Sequence, residues 1–342
     1  MSDPRLCCPE CFGDRHLRRE LFPTLSKTSG NCSYCDSTEQ PLLDPILLRE
    51  QFELVIGVYK QDPVGKTLVE FLKEDWRLFE RLDIAHAKDL LSDILDDGQI
   101  VRERFQAVVE RKSEGLTNWQ NRCVELMHSN RFFPTTRVDL ERLEELLSNL
   151  LLDQADMPQL WYRARIQGSE GTYLSEHMGA PPPELASHGR ANPAGIPYLY
   201  ISSSPATAIS EVRPHSGDFI SVAAITLPEG LKIADLRNPR KMVSPFILPD
   251  SQEVSEMCED VRLLERLGEE LTRPVLPKSA AYDYIPSQYL CEFAKKCGYD
   301  GVMYRSSVDG GVNLALFDPA KGTANNVTVH SVSRVSVQFH AV

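Results

Sequence analysis

Between residues 42 and 152, apolar side chains recur at steps of three and four, the period of helices that bury one face. Leu68, Phe71, Leu72, Trp76, Phe79 and Leu82 form one such stripe, read as a single helix. Leu90, Leu91, Ile94 and Leu95 form a second. Leu140, Leu143, Leu147 and Leu150 form a third, with Thr136 followed by Asp139 as its capping signal. Lys112-Ser113-Glu114-Gly115 breaks the pattern as a loop. The expected product is a small helical bundle.

From about residue 158 the pattern shortens. Strand-length runs rich in β-branched and aromatic residues appear at Tyr198 to Ile201, Phe219 to Thr226, Gly301 to Tyr304 and Leu314 to Phe317. Val327, Val329, Val335, Val337 and Phe339 alternate as a last strand would. Proline and glycine cluster in residues 179–183 and 189–195, between these runs. This half reads as a compact α+β domain. With a distinct opening segment, the chain divides into residues 1–40, 41–155 and 156–342.

Composition narrows the function. The 342 residues are 42% hydrophobic and 25% charged, which suits a globular chain able to bury a sizeable core. Acidic residues outnumber basic ones 49 to 37, a net charge of −12, which argues against nucleic acid as a partner. No apolar run approaches the roughly 20 residues of a membrane helix. The start, MSDPRLCCPECF, has no secretory apolar core. An odd number of cysteines, nine, scattered through the chain, argues against a disulfide scaffold and for the cytoplasm.

Five of those nine lie in the first forty residues, as Cys8-x-x-Cys11 and, twenty residues on, Cys32-x-x-Cys35. Two such pairs supply four thiolates for a tetrahedral Zn²⁺, with Cys7 a rival to Cys8. Gly13 and Gly30 stand where knuckle turns want positive φ. A four-thiolate site has no open coordination position, so the zinc would be structural.

In the C-terminal half, Ser204 can cap a short helix opened by Pro205 and closed before Pro214, leaving Glu211 about two turns in. Thr207 and Ala208 put small side chains beside that carboxylate. Arg163 and Arg165 alternate on a strand and share a face, as a pair gripping a diphosphate would. Each feature alone has an ordinary reading as surface charge or turn. The segments Tyr304 to Ser307 and Gly310 to Asn313 read as a hairpin that can set a hydroxyl at a pocket edge.

Taken in order, the blocks are Tyr-Arg-Ala-Arg at 162–165, Gly-Arg-Ala-Asn-Pro-Ala-Gly at 189–195 and Leu-Tyr-Ile-Ser at 199–202. Glu211 follows Tyr200 by eleven residues, then come Gly-Tyr-Asp-Gly-Val-Met-Tyr-Arg-Ser-Ser at 298–307 and Gly-Gly-Val-Asn-Leu-Ala-Leu-Phe at 310–317. This series resembles the RES domain family across roughly residues 158 to 320. The preceding region is similar to the HEPN-like domain fused to some RES domains, whose opening cysteine pairs also match.

The resemblance implies an ADP-ribosyltransferase-like α+β fold acting on NAD⁺, behind a zinc knuckle and helical bundle. It implies a toxin or anti-phage effector that hydrolyses or phosphorolyses NAD⁺, or an ADP-ribosyltransferase. Water, phosphate and a protein side chain all stay open as acceptor. Carried over by block, Arg163, Glu211 and Ser306 are the catalytic candidates. Tyr200, Arg163, Arg165, Arg190 and Ser306 are the binding candidates, with Ser307 a neighbour. An antitoxin or regulatory protein is the implied partner.

The helical segment offers a second chemistry. HEPN ribonucleases carry an Arg and a His separated by four to six residues, and Arg122 and His128 have five between them. Cys123 follows the Arg where those enzymes commonly have a polar residue, and the charge balance disfavours RNA. The segment is read instead as regulating the C-terminal domain or mediating assembly, including into a homo-oligomer.

Overall fold

The computed structural model describes residues 4–107, 114–169, 171–276 and 278–336. The chain forms two compact units, residues 1–116 with 239–264, and residues 117–238 with 265–342.

The first unit opens with two close cysteine turns. The strands β1 (Thr28–Gly30) and β2 (Gln40–Leu42) pair across the second turn. Helices α1 (Arg49–Ile56), α2 (Leu68–Trp76) and α3 (Ile84–Leu95) follow, with β3 (Tyr59–Lys66) pairing β4 (Phe105–Ala107) antiparallel. A two-stranded ladder therefore interrupts what the periodicity presented as wholly helical. The stripe from Leu68 to Leu82 also breaks. Arg77 takes φ 59, and the Leu78 amide reaches back to the Leu72 carbonyl, closing α2 with a Schellman-type turn. Phe79 and Leu82 stay buried because the turn folds them back. The Lys73 ammonium donates to the carbonyls of Phe79 (2.8 Å) and Leu82, which anchors that turn. Phe12, Phe22, Phe52 and Phe79 meet at ring-centroid distances of 5.7 to 6.0 Å and form the aromatic centre of the unit.

The second unit begins within α4 (Glu114–His128), from Thr117, and continues with α5 (Leu140–Ser148). Glu114 and Gly115, expected in a loop, open α4; Lys112 and Ser113 lie outside the described residues. Asp139 itself caps α5, accepting from the Arg142 amide at 2.9 Å, so Thr136 is not part of that cap. These helices belong here because the chain after α5 joins the sheet. The Leu152 amide donates to Ile233 and the Asp235 amide to Leu150. Residues 117–155, grouped by sequence with the helical segment, thus pack with the second unit.

Seven strands build its mixed sheet: β5 (Trp161–Ile166), β6 (Leu199–Ser202), β7 (Phe219–Thr226), β8 (Ile233–Asp235), β9 (Gly301–Arg305), β10 (Val312–Leu316) and β11 (Thr323–Ser331). Their order is β11-β7-β5-β6-β10-β9-β8, antiparallel except for β8 beside β9. Helices α6 (Pro205–Glu211), α7 (Ser251–Thr272, counted here from Glu265) and α8 (Ile285–Lys296) complete it. Val327 and Val329 lie in β11 and Val335 beyond its end; Val337 and Phe339 fall outside the described residues. Trp161, Leu199, Ile201, Ile225, Ile233, Leu314 and Leu316 share one buried cluster. Ala164, Ala208, Ile220 and Val222 form another, against which α6 packs. The expected α+β class, with a large sheet and an N-terminal cysteine knuckle, is what the chain adopts.

Candidate functional site

The α6 helix forms as its sequence dictates. The Ser204 hydroxyl accepts from the Thr207 amide at 3.1 Å, and Pro205 takes the first helical position, where a missing N–H costs nothing. Arg213 at φ 50 and then Pro214 end it, placing Glu211 on the last turn.

Beside it the sheet opens. Strands β5 and β6 are in register at a single pair, Tyr162 with Ser202. The Arg163 guanidinium spans to β6, donating from Nη1 to the Tyr200 carbonyl at 2.9 Å. A cleft of about 500 Å³ lies here, lined by Arg163, Tyr200, Glu211, Arg190, Tyr304 and Asn313 among others.

Glu211 is held from one side. The Ser306 hydroxyl donates to Oε1 at 2.7 Å and the Asn313 amide donates to the same oxygen at 2.6 Å. No described residue donates to Oε2 through a hydrogen bond. Ser306 also accepts from the amides of Val308 and Asp309, which makes the hairpin between β9 and β10 a tight tip. Thr207 donates to Asp309 at 2.6 Å, and a Cβ on Gly311 would fall 2.0 Å from the Thr207 hydroxyl. Only glycine lets the tip approach α6 this closely.

Arg163 carries a cation with unmet donors. Burial, reinforced by the neighbouring charge of Arg165, lowers its pKa to about 10, so it stays protonated at neutral pH. Its Nε is buried without a hydrogen-bond partner. A half-buried, partly unsatisfied guanidinium on a cleft wall is suited to a phosphate or carboxylate.

The remaining candidates are engaged by protein. Tyr200 donates to Asn192 Oδ1 at 2.6 Å and accepts from the Ala191 amide at 3.0 Å. Burial pushes its phenol well up, so it remains neutral. A Cβ on Gly189 would meet that hydroxyl at 2.6 Å, which explains the glycine. Arg190 donates to the Arg273 carbonyl at 2.7 Å and to Ser307 at 2.8 Å, strapping the 189–192 loop to the hairpin. Arg165 alternates with Arg163 as expected but points to other work. Its Nη2 donates to the Gly179 carbonyl at 2.8 Å, its guanidinium lies 5.5 Å from the Tyr173 ring, and it does not line the cleft. Ser306 likewise is absent from the lining and touches Glu211 instead.

Two residues went unassigned in the sequence: Ser202 and Asn313, both 4% exposed. Their signal was present in the Leu-Tyr-Ile-Ser and Gly-Gly-Val-Asn blocks. The strand register that sets Asn313 opposite Ser202 was not.

In the first unit, the sulfurs of Cys8, Cys11, Cys32 and Cys35 all lie within 4.8 Å of one another. Cys8 to Cys35 is 3.4 Å, Cys11 to Cys32 is 3.3 Å and Cys8 to Cys11 is 4.0 Å. Zinc–thiolate bonds of about 2.3 Å at tetrahedral angles put sulfurs about 3.8 Å apart, so the set fits that ion. The hydrogen bond to Cys32 pushes the Cys11 thiol well up, and that from Cys11 pulls Cys32 well down. Cys7 is buried outside the group, its backbone paired with Leu43, which decides the rivalry for Cys8. Gly13 has φ 69 as expected; Gly30 is extended in β1, and Asp36, at φ 57, takes the left-handed position after the second pair.

Arg122 and His128 do not share an environment. Arg122 is buried, donates to the Thr136 carbonyl and lies 5.7 Å from the Tyr289 ring, while His128 is exposed at the end of α4. Among the described residues, no helix is long and apolar enough to cross a membrane.

The model of the RES domain family matches residues 160–339. No curated protein matches the chain. Among solved structures, it is similar to a chain of the M. tuberculosis MbcT-MbcA toxin-antitoxin complex. The identity is 14%, the match covers 57% of this chain and 96% of that one, and the TM-score is 0.34.

Proposed function

The chain belongs to the RES domain family, and on that premise we propose that the cleft consumes NAD⁺ by breaking its nicotinamide–ribose bond. Breaking that bond builds oxocarbenium character on the ribose. Glu211, whose Oε2 takes no hydrogen bond from the described residues, is suited to binding the ribose hydroxyls and countering that charge. Arg163 offers to the pyrophosphate the guanidinium donors that Tyr200 does not take. Tyr200, neutral and fixed, supplies an aromatic wall for the nicotinamide ring. Nicotinamide departs as a neutral ring, so no strong general acid is needed. Ser306 acts by holding Glu211. The observation that carries the reading is the presence, in one cleft, of a carboxylate bonded through one oxygen and a half-buried guanidinium whose hydrogen bond to the described residues is the one to Tyr200.

The acceptor in this reading is water or phosphate, which makes the enzyme a glycohydrolase or phosphorylase. Such an activity is toxic to the cell that holds it, so it suits a toxin or anti-phage effector working in the cytoplasm under an antitoxin-like partner. The four-cysteine group is read as a structural zinc site, and the helical segment as its HEPN-like neighbour.

The test is nicotinamide release from NAD⁺, with and without phosphate, by wild type and Glu211→Gln. Release should fall on the order of 10²–10³-fold in the variant. Phosphate dependence separates the two acceptors, and label carried from NAD⁺ onto protein would make it an ADP-ribosyltransferase. A wild type that leaves NAD⁺ intact under all these conditions refutes the reading.

A further inference from the structure

We propose that Asn313 is a positioning residue for Glu211, a role that rests on the NAD⁺ reading of the cleft. Asn313 sits on β10, 4% exposed, in register with Ser202 on β6 and Tyr304 on β9. Its carboxamide bridges two groups. Oδ1 accepts from the Ser202 hydroxyl at 2.7 Å, and Nδ2 donates to Glu211 Oε1 at 2.6 Å.

The amide can face only one way. A carboxylate offers no proton, so turning the amide over would set Oδ1 against Oε1 with nothing between them. Ser202, whose hydroxyl both donates and accepts, adapts to whichever atom it meets. The orientation is therefore dictated by Glu211, and Ser202 meets the amide oxygen on the other side.

The consequence concerns which part of the fold sets the carboxylate. Glu211 stands on the last turn of a seven-residue helix, next to a left-handed Arg213. Both donors to its Oε1 come from the β9–β10 hairpin, Ser306 at the tip and Asn313 within the strand. The carboxylate is thus tied to the sheet that also presents Arg163 and Tyr200, and its second oxygen is aimed by that tie. Ser306 lies in a turn of the tip, whereas Asn313 lies in a ladder paired on both sides. Asn313 is the more rigid of the two anchors.

Steady-state nicotinamide release by the full-length protein tests this, with Asn313→Ala, Asn313→Asp, Ser202→Ala and the double variant Glu211→Gln/Asn313→Ala. Misplacing a catalytic group by about 1 Å costs on the order of 10²-fold, so Asn313→Ala should lose kcat on that scale with KM unchanged. Asn313→Asp, which faces one carboxylate with another, should lose more. Ser202→Ala should lose less, and it serves as the milder probe should Asn313→Ala melt early. The double variant should be no slower than Glu211→Gln alone, because a residue acting through Glu211 has nothing left to position. Wild-type kcat in folded Asn313→Ala, or a loss that multiplies fully with that of Glu211→Gln, overturns the role of Asn313 and leaves the cleft reading standing. A wild type that releases no nicotinamide overturns both.

Discussion

The cysteine knuckle and the cleft are both built from residues far apart in the chain, yet they are held by different forces. In the knuckle, four sulfurs converge from two turns closed by backbone hydrogen bonds, and the sulfurs themselves face chiefly one another. Their mutual crowding disfavours four thiolates until a cation joins them. In the cleft, every candidate side chain stands on a strand, a helix end, a hairpin or a loop tied by hydrogen bonds to its neighbours. One site is expected to depend on its ligand for structure. The other has its structure before its ligand arrives.

That contrast can be broken most severely at the knuckle. Structural zinc contributes about 10–16 kcal/mol in small metal-folded domains. Cys11→Ser, or prolonged chelation, should therefore abolish stoichiometric zinc by metal analysis and remove the cooperative melting of the first unit. Glu211→Gln should leave both metal content and melting unchanged while activity falls. A Cys11→Ser protein that melts like wild type would mean the aromatic cluster around Phe12 holds the unit without metal.

A smaller effect sharpens the cleft side. Arg163→Lys keeps the charge but loses the planar fork and the span to Tyr200. NAD⁺ affinity, measured by calorimetry in the slow Glu211→Gln background, should weaken by about 10-fold, the loss of one charge-assisted hydrogen bond. Unchanged affinity would remove Arg163 from pyrophosphate binding.

The smallest effect falls on Tyr200→Phe. It deletes a donor to Asn192 and an acceptor for Ala191, each worth about 1 kcal/mol. The second unit should melt about 4–8 °C lower, with the Gly189–Asn192 loop exchanging its amides faster. A melting temperature equal to wild type would show that the Gln288 bonds to Gly189 and Asn192, with the Arg190 strap, hold the loop without Tyr200.

Much of this was legible beforehand. The two Cys-x-x-Cys pairs announce the knuckle because metal-ligand spacing is a short-range property, and the Ser204–Pro205 start and Pro214 stop mark α6 for the same reason. The strand of Arg163 and the hairpin after Tyr304 follow from alternation and turn residues. The helix expected to run from Leu68 to Leu82 failed because periodicity records which residues are buried, not whether the backbone continues. A turn at Arg77 buries Phe79 and Leu82 just as a helix would.

The pairings themselves were out of reach. Alternation places Arg163 and Arg165 on one face, but only the opening between β5 and β6 sends the first into the cleft and leaves the second bonded to Gly179. Asn313 and Glu211 are 102 residues apart, and no local rule joins them. The sequence by itself determined the α6 boundaries, the hairpin after Tyr304 and the thiolate set, because those depend on neighbours within a few residues, while the cleft residue types came from five blocks taken in order. The tertiary structure alone decided which donors meet Glu211 and which guanidinium lines the cleft, because both follow from strand register and long-range packing.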